Sequence, residues 1–435
     1  MTADTKKQSF TDQFIEAVES RTTEESSTRK AAWNEFRLLG FPESKSEEYK
    51  FTPVTRILSK HFKASELFEV APKDNGTIED LLIKDLDSYS IVFSNGHFMP
   101  KASKLPTDAS ITIEPLNGPL DRNSDQIGNR LNELAVNKDP FALLNNTFWQ
   151  DGLYIHVAKN AVIDKPLVIH HHHNASQQKI ASHTRLIIEV ENNTSLRIIE
   201  KTHSTGEHSV FNTINEDIIV GEQASLSYCK IQNDPGQLFQ VSNTIIHQSN
   251  NSRTDTYTFS LNGNLIRNNL NIIIDGEGCE SHFYGLYLTN GESLVDNHTV
   301  VDHRKPNSHS NELYKGLMDD KSKGVFNGKI YVRPHAQKTN AFQSNRNILL
   351  SESATINTKP QLEIWADDVK CSHGCTTGQL DEEAIFYLQS RGIPKATAKA
   401  MLLYAFAGEV LEAIKDEQLK NYLDDIISER LHKNF

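Results

Sequence analysis

The spacing of apolar residues changes character twice along the chain and divides it into three zones. Over residues 1–90 the period is helical. Phe10, Phe14, Ile15 and Val18 fall on one side of a first helix. Ser27 to Leu39 predicts a second, with Ala32, Trp33 and Phe36 on its apolar side and Gly40 as its stop. Pro42 and Pro53 bracket a polar stretch from Ser44 to Lys50. A small helical region with loops is the expectation here.

From 91 to 378 the period drops to two. Leu186, Ile188 and Val190 alternate with polar residues, Asn192-Asn193 turns the chain, and Leu196 and Ile198 repeat the pattern. Leu226 and Tyr228 follow Gly221, Ile272 and Ile274 precede Asp275-Gly276, and Tyr284, Leu286 and Leu288 precede Asn290-Gly291. Almost nothing in this zone has the length or period of a helix. So long a run of short strands exceeds one sandwich or small barrel. A stacked β-helix, which grows coil by coil, accommodates it, although no clean sequence repeat is visible.

Residues 379–435 turn helical again. Asp381, Glu382 and Glu383 suit the positive end of a helix dipole, Gly392 stops that helix, and Pro394 is placed to start the next. Leu403, Phe406, Val410 and Ile414 form one apolar stripe, and Leu419, Tyr422, Leu423, Ile426 and Ile427 supply another. Such helices could cover the last coil of a solenoid, dock another protein, or do both.

Composition narrows the function. The chain has 435 residues, with 57 acidic against 45 basic side chains and a net charge of -12. That balance argues against a broad nucleic-acid or anionic-membrane surface. The start, Met1 to Lys7, has no apolar core of a secretory signal, and no apolar run spans a bilayer. Four cysteines are too few for a disulfide framework, and a reducing cytoplasm is expected.

Two of those cysteines stand close together. Cys371, His373 and Cys375 offer thiolate and imidazole donors that suit iron, zinc or copper(I) rather than magnesium or calcium. On an extended strand all three share a face. Three donors are one short of a closed tetrahedral site, so a fourth must come from elsewhere, from a second chain or from a substrate. The run His170 to His173 is expected to be a solvated strand end, and His203, His208, His298, His303 and His309 to be structural or surface residues.

Other chemistries match poorly. Gly324-Val-Phe-Asn-Gly328-Lys329-Ile330 is one spacer short of a phosphate loop and has Ile where the magnesium-holding hydroxyl belongs, so no nucleotide site is expected. Gly276 and Gly278 lack the third glycine of a dinucleotide fingerprint. Asp319-Asp320 and Asp367-Asp368 leave open a stand-alone β-helix polysaccharide hydrolase or lyase, but neighbours on a strand point to opposite faces.

Longer motifs carry a resemblance. Glu47-Glu-Tyr-Lys-Phe-Thr52, Gly328-Lys-Ile-Tyr-Val332, Gln343-Ser-Asn-Arg-Asn-Ile-Leu-Leu-Ser351, Pro360-Gln-Leu-Glu-Ile364, Ala366 to Gly374 and Phe386 to Ile393 occur in the order of the SufB/SufD family of iron–sulfur cluster assembly proteins. The sequence resembles that family along essentially its whole length, most densely from 326 to 408. Lys370-Cys-Ser-His-Gly374, and Ser344 where the SufB branch carries a scaffold cysteine, resemble the SufD branch.

The resemblance implies a right-handed parallel β-helix flanked by helical regions, and a non-enzymatic scaffold. It implies partnership with a SufB-type paralogue and a SufC-type ABC ATPase. The C-terminal helices would dock that ATPase, which gives Leu403, Phe406 and Val410 a partner-binding or supporting role. His373 and Cys371 would lie at the interface with the paralogue and hold a transient iron–sulfur cluster or its iron. Cys375 departs from the family pattern, which has a small residue there. An exposed strand facing the paralogue makes a homodimer plausible for the isolated chain.

Overall fold

The structure is a computed structural model and describes residues 8–21, 27–43, 45–74, 82–107, 110–116 and 138–434. Met1 to Lys7 and Ser44, discussed above from sequence, lie outside them. The chain is mainly β and forms a solenoid of about 8 turns flanked by N- and C-terminal helices, as the alternation predicts.

Successive strands are dealt alternately to two sheets. One runs through Tyr89–Ser94, Leu167–Asn174, Ser195–Thr205, Ser225–Asn233, Arg253–Asn262, Glu280–Thr289, His309–Met318, Asn340–Leu349 and Lys370–Gly378. The other runs through Asp151–Val157, Ile180–Val190, Val210–Val220, Leu238–Gln248, Leu265–Ile274, Leu294–His303, Lys323–Val332 and Thr355–Ile364. These neighbours pair in parallel. Antiparallel pairs occur at the N-terminal end, where His97–Phe98 meets Tyr89–Ser94 and Ile111–Pro115 meets Asp151–Val157.

The period-two apolar residues fill the lumen. Ile91, Ile169, Leu186, Ile198, Ile218, Ile246, Ile272 and Val301 are buried there from both sheets. Each fully buried side chain of this size contributes roughly 1.5–3 kcal/mol. One corner of the coils is built the same way seven times. Asn160, Asn193, Gln223, Asn251, Gly278, Asn307 and Lys338 each adopt positive φ, between 54° and 71°. The N–H of each donates to a carbonyl of the following coil, as Asn193 does to Glu222 and Lys338 to Asp368. The repeat is thus conformational. Residues as different as Asn, Gln and Lys occupy its key position, which hides it from sequence comparison.

At the N-terminal side Phe14 lies edge-on to Phe36, Phe41, Phe68 and Phe148, with centroids 5.0–5.9 Å apart. This aromatic cluster continues onto the solenoid wall through Phe211 and Phe239. Phe148 belongs to a helix, Pro140–Phe148, that corrects the expectation of an almost helix-free middle zone. Asp139 caps it by accepting from the Phe141 and Ala142 amides, and Pro140 sits in its first turn. It is buried on every side, so its sequence lacks the polar face that would mark it as amphipathic.

The C-terminal helices, Glu382–Ser390, Lys395–Leu411 and Glu417–Asn434, do not cover the last coil. They lie along the flank of the first sheet. Leu403, Ala407, Val410, Ile414, Leu423 and Ile427 pack there on Ile199, Ile231, Tyr257, Phe259, Leu286 and Leu313. The physical reason is that the apolar outer face is on the flank, whereas Thr355–Ile364 and Lys370–Gly378 are largely polar. No helix among the described residues is long and apolar enough to cross a membrane.

Candidate functional site

The last strand of the first sheet, Lys370–Gly378, pairs on one edge with Asn340–Leu349. Among the described residues no strand pairs with its other edge. The register sets Ala341 against Cys371, Gln343 against His373 and Asn345 against Cys375. Ala341, Gln343 and Asn345 are buried and belong to the lumen-facing set of their strand. The alternation therefore puts Cys371, His373 and Cys375 on the same face, as the terminal rung of three lumen rows. Cys371 is half-buried beside Ile330, Val332 and Ala341, and burial pushes its thiol up. His373 and Cys375 are exposed.

Sharing a face is not convergence. Same-face neighbours on a strand are about 6.5 Å apart. Ligand atoms must come within about 2.0–2.3 Å of one ion. Among the described residues no group of three or more His, Cys, Asp or Glu side chains is arranged to hold a metal ion. The strand presents soft donors in a line at an open end.

Behind them the lumen is unexpectedly polar. Gln343 donates from Nε2 to Glu312 Oε2 at 2.6 Å. Burial pushes the Glu312 carboxyl up to about 7, partly offset by the Thr299 and Gln343 side chains beside it. Deeper in, Lys230 Nζ lies 3.1 Å from Glu216 and 3.3 Å from Glu200. The Tyr228 hydroxyl donates to the same two carboxylates. Burial and the neighbouring Glu200 raise the Glu216 carboxyl above its ordinary range. Sequence reasoning missed these groups. Their one signal was the interruption of lumen-facing rows by Glu, Lys and Gln, which becomes readable only once the register is known.

The histidine run is a correction. His170 to His173 lie within Leu167–Asn174 and are 1–5 % exposed, not solvated. That strand is covered on both faces: His171 stacks on Phe93 in the lumen at 5.4 Å, while His172 faces outward beside His203. His298 and His303 are buried and hydrogen-bonded, the first beside Arg267 and the second to Ser310. The near-match to a phosphate loop, Gly324 to Lys329, is part of the strand Lys323–Val332.

Leu403 and Val410 are fully buried against the solenoid, and Phe406 is half-buried with Lys315 over its ring. They support the helices rather than present a surface, because the apolar stripe is spent on the flank. Among the described residues of this module, the large apolar ones that are exposed are Phe386, Tyr387, Met401 and Tyr404. Ion pairs of Arg346 with Glu409 and Lys415 with Asp255, both 3.0 Å, tie the helices to the strands beneath.

The segment Glu47 to Thr52 is bolted to the opposite sheet. Thr52 donates to Asp296, Arg267 lies over the Tyr49 ring at 3.9 Å, and Tyr49 donates to Asp139. The His298 ring, with Lys329 behind it, holds the Glu48 carboxyl down at about 2. The same segment borders a cavity of about 250 Å³ with Phe51, His298, Phe326 and Lys359 on its wall.

Comparison with known proteins agrees with this architecture. Residues 171–406 match the family model described as SUF system FeS cluster assembly, SufBD core domain, and residues 5–169 match the SufBD protein N-terminal region. The chain is 31% identical over 401 residues to an iron–sulfur cluster assembly SufBD family protein of Synechocystis, covering 90% of this chain and 87% of that one. It is 31% identical over 394 residues to the iron–sulfur cluster assembly protein SufD of Escherichia coli, covering 90% of each. A chloroplastic protein of Arabidopsis thaliana is 26% identical, over 88% of this chain and 81% of that one.

Proposed function

The chain belongs to the SufBD family of iron–sulfur cluster assembly proteins, and from that premise we propose that it is a non-enzymatic scaffold subunit contributing half of a shared iron site. The observation that carries this reading is the open last strand. It combines an unpaired edge with Cys371 and His373, and with Cys375 as a further exposed thiol. An unpaired parallel edge is a template for adding a strand from another chain. In this reading a SufB-type paralogue pairs there and completes the coordination.

The donor chemistry supports the assignment. Iron–sulfur clusters are held by thiolate and imidazole. A nascent cluster or its iron is cargo here, to be held and then released. Donors in a line, each binding one atom of the cargo with the partner's donors opposite, release it more readily than a closed four-ligand cage. Phe386, Tyr387, Met401 and Tyr404 are the apolar surface for a SufC-type ATPase, with Leu403 and Val410 behind them as support. Movement of the docked ATPase would reach the last strand through the ion pairs that fasten the helices to the coils.

The test is genetic and biochemical together. In cells relying on this chain for cluster assembly, His373→Ala should fail to restore an iron–sulfur enzyme while still co-purifying with the paralogue and the ATPase. Phe386→Ser with Tyr404→Ser should lose the ATPase and keep the paralogue. Full restoration by His373→Ala would overturn the ligand role, and retention of the ATPase by the double variant would overturn the docking surface.

A further inference from the structure

The lumen row that ends at His373 has an unfinished hydrogen bond one rung below it. Gln343 pairs in register with His373, and adjacent strands lie about 4.8 Å apart. Gln343 is 3 % exposed. Nε2 is committed to Glu312 Oε2, and Oε1 has no partner among the described residues. A buried carbonyl left unmet carries the full penalty of its lost hydration.

The amide is held in this orientation from several sides. Glu312 is fully buried and, whether ionised or carrying its proton on Oε1, accepts from the Gln343 amide at Oε2. Across the lumen stands Gly328. A Cβ there would lie 2.1 Å from Gln343 Nε2, so the amide occupies space that only glycine leaves open. The Phe326 ring closes the same wall, 2.9 Å from that Cβ position. The NH₂ end of the amide is thus spoken for, and its carbonyl end is the one left to meet a donor. The next residue along the row is His373, whose ring carries an N–H.

We propose that Gln343, locked by Glu312 and Gly328, is a positioning residue for His373: when the exposed imidazole turns back over the row, Oε1 accepts its N–H and fixes which ring nitrogen is left for iron. The inference rests on the reading of His373 as a ligand and adds the group that orients it. Ligating histidines commonly donate their second N–H to a carbonyl or carboxylate, and loss of that partner costs about 10–100-fold in metal affinity or activity. It also gives a role to Gly328 in the stretch Gly328 to Val332, where no side chain could replace the glycine without displacing the amide.

The experiment uses the full chain labelled with ¹⁵N-histidine, without metal. The ring-nitrogen shifts of His373, assigned by their loss in His373→Gln, report the tautomer at one neutral pH. Wild type should show a single dominant tautomer, and Gln343→Leu the mixture of a free imidazole. Should Gln343→Leu not fold, Gln343→Met, closer in shape, takes its place. A wild-type mixture, or an unchanged tautomer in the variant, overturns the proposal. A companion arm measures iron retained by the anaerobically purified complex with the paralogue and ATPase. Gln343→Leu should lower it about tenfold. If His373→Ala loses iron while Gln343→Leu keeps it, the positioning role falls and the ligand role stands. If His373→Ala keeps its iron, the ligand role itself falls.

Discussion

Replacing Glu312 with Gln should stabilise the solenoid at alkaline pH and do little at acid pH. Glu312 is sealed in the lumen, and burial moves its carboxyl from an ordinary 4.5 to about 7. A carboxyl whose folded value is raised contributes stability that is complete below the unfolded value and is lost as pH rises through the folded one. Between 4.5 and about 7 the native state therefore gives up stability. At a pH above both values the ionised group costs about 3 kcal/mol. Gln keeps the size and the acceptor for Gln343 and cannot ionise. The variant should match wild type near pH 4.5 and exceed it by up to about 3 kcal/mol at pH 8.5. Stacked coils need not unfold as one unit. The assay is therefore hydrogen exchange of the amides in His309–Met318, read at several pH values beside urea unfolding. A variant with the wild-type pH dependence, or one less stable at pH 8.5, would mean that ionisation of Glu312 does not destabilise the solenoid.

Lys230→Met leaves Glu200 and Glu216 facing each other in the lumen without their cation, and should destabilise by about 3–5 kcal/mol at neutral pH. The loss should shrink toward pH 5 as the Glu216 carboxyl, raised by burial to about 7, takes up its proton, which urea midpoints across the pH range would show. Under native anaerobic conditions iodoacetamide should label Cys375 first and half-buried Cys371 more slowly, with Cys229 and Cys279 reacting only after unfolding, as peptide mass spectrometry can follow.

Much of the fold was legible because its main cause is local. Leu186, Ile188 and Val190 alternate because one face of each strand fills the lumen, and that pattern needs no knowledge of neighbours. What stayed hidden depends on neighbours. A run such as His170 to His173 looks solvated in sequence, and only coils stacked on both edges and covers on both faces bury it. The helix Pro140–Phe148 is buried all round, its polar Asn145, Asn146 and Thr147 included, because it is wedged between the aromatic cluster and the wall, so it has no solvent-facing polar side to give an amphipathic signature. The stripe Leu403, Phe406 and Val410 was visible as a stripe, but which surface it meets is a tertiary fact. The same holds at the site. Cys371, His373 and Cys375 stand out as candidates by residue type and spacing, and the register puts them on one face. Gln343 and Glu312 lie 31 positions apart and are joined only by register. The glycine that makes room for them sat in a segment that looked like a broken phosphate loop.

In the proposed function the open strand Lys370–Gly378 supplies His373 to iron shared with another chain. The most direct measurement of this role is the iron and sulfide content, with the visible absorption spectrum, of the proposed complex with a paralogue and an ATPase, purified anaerobically, comparing wild type with His373→Ala at equal subunit stoichiometry. The variant complex should stay intact and lose the iron and the cluster absorption. An intact complex carrying wild-type iron, sulfide and spectrum in the absence of the imidazole would contradict that role.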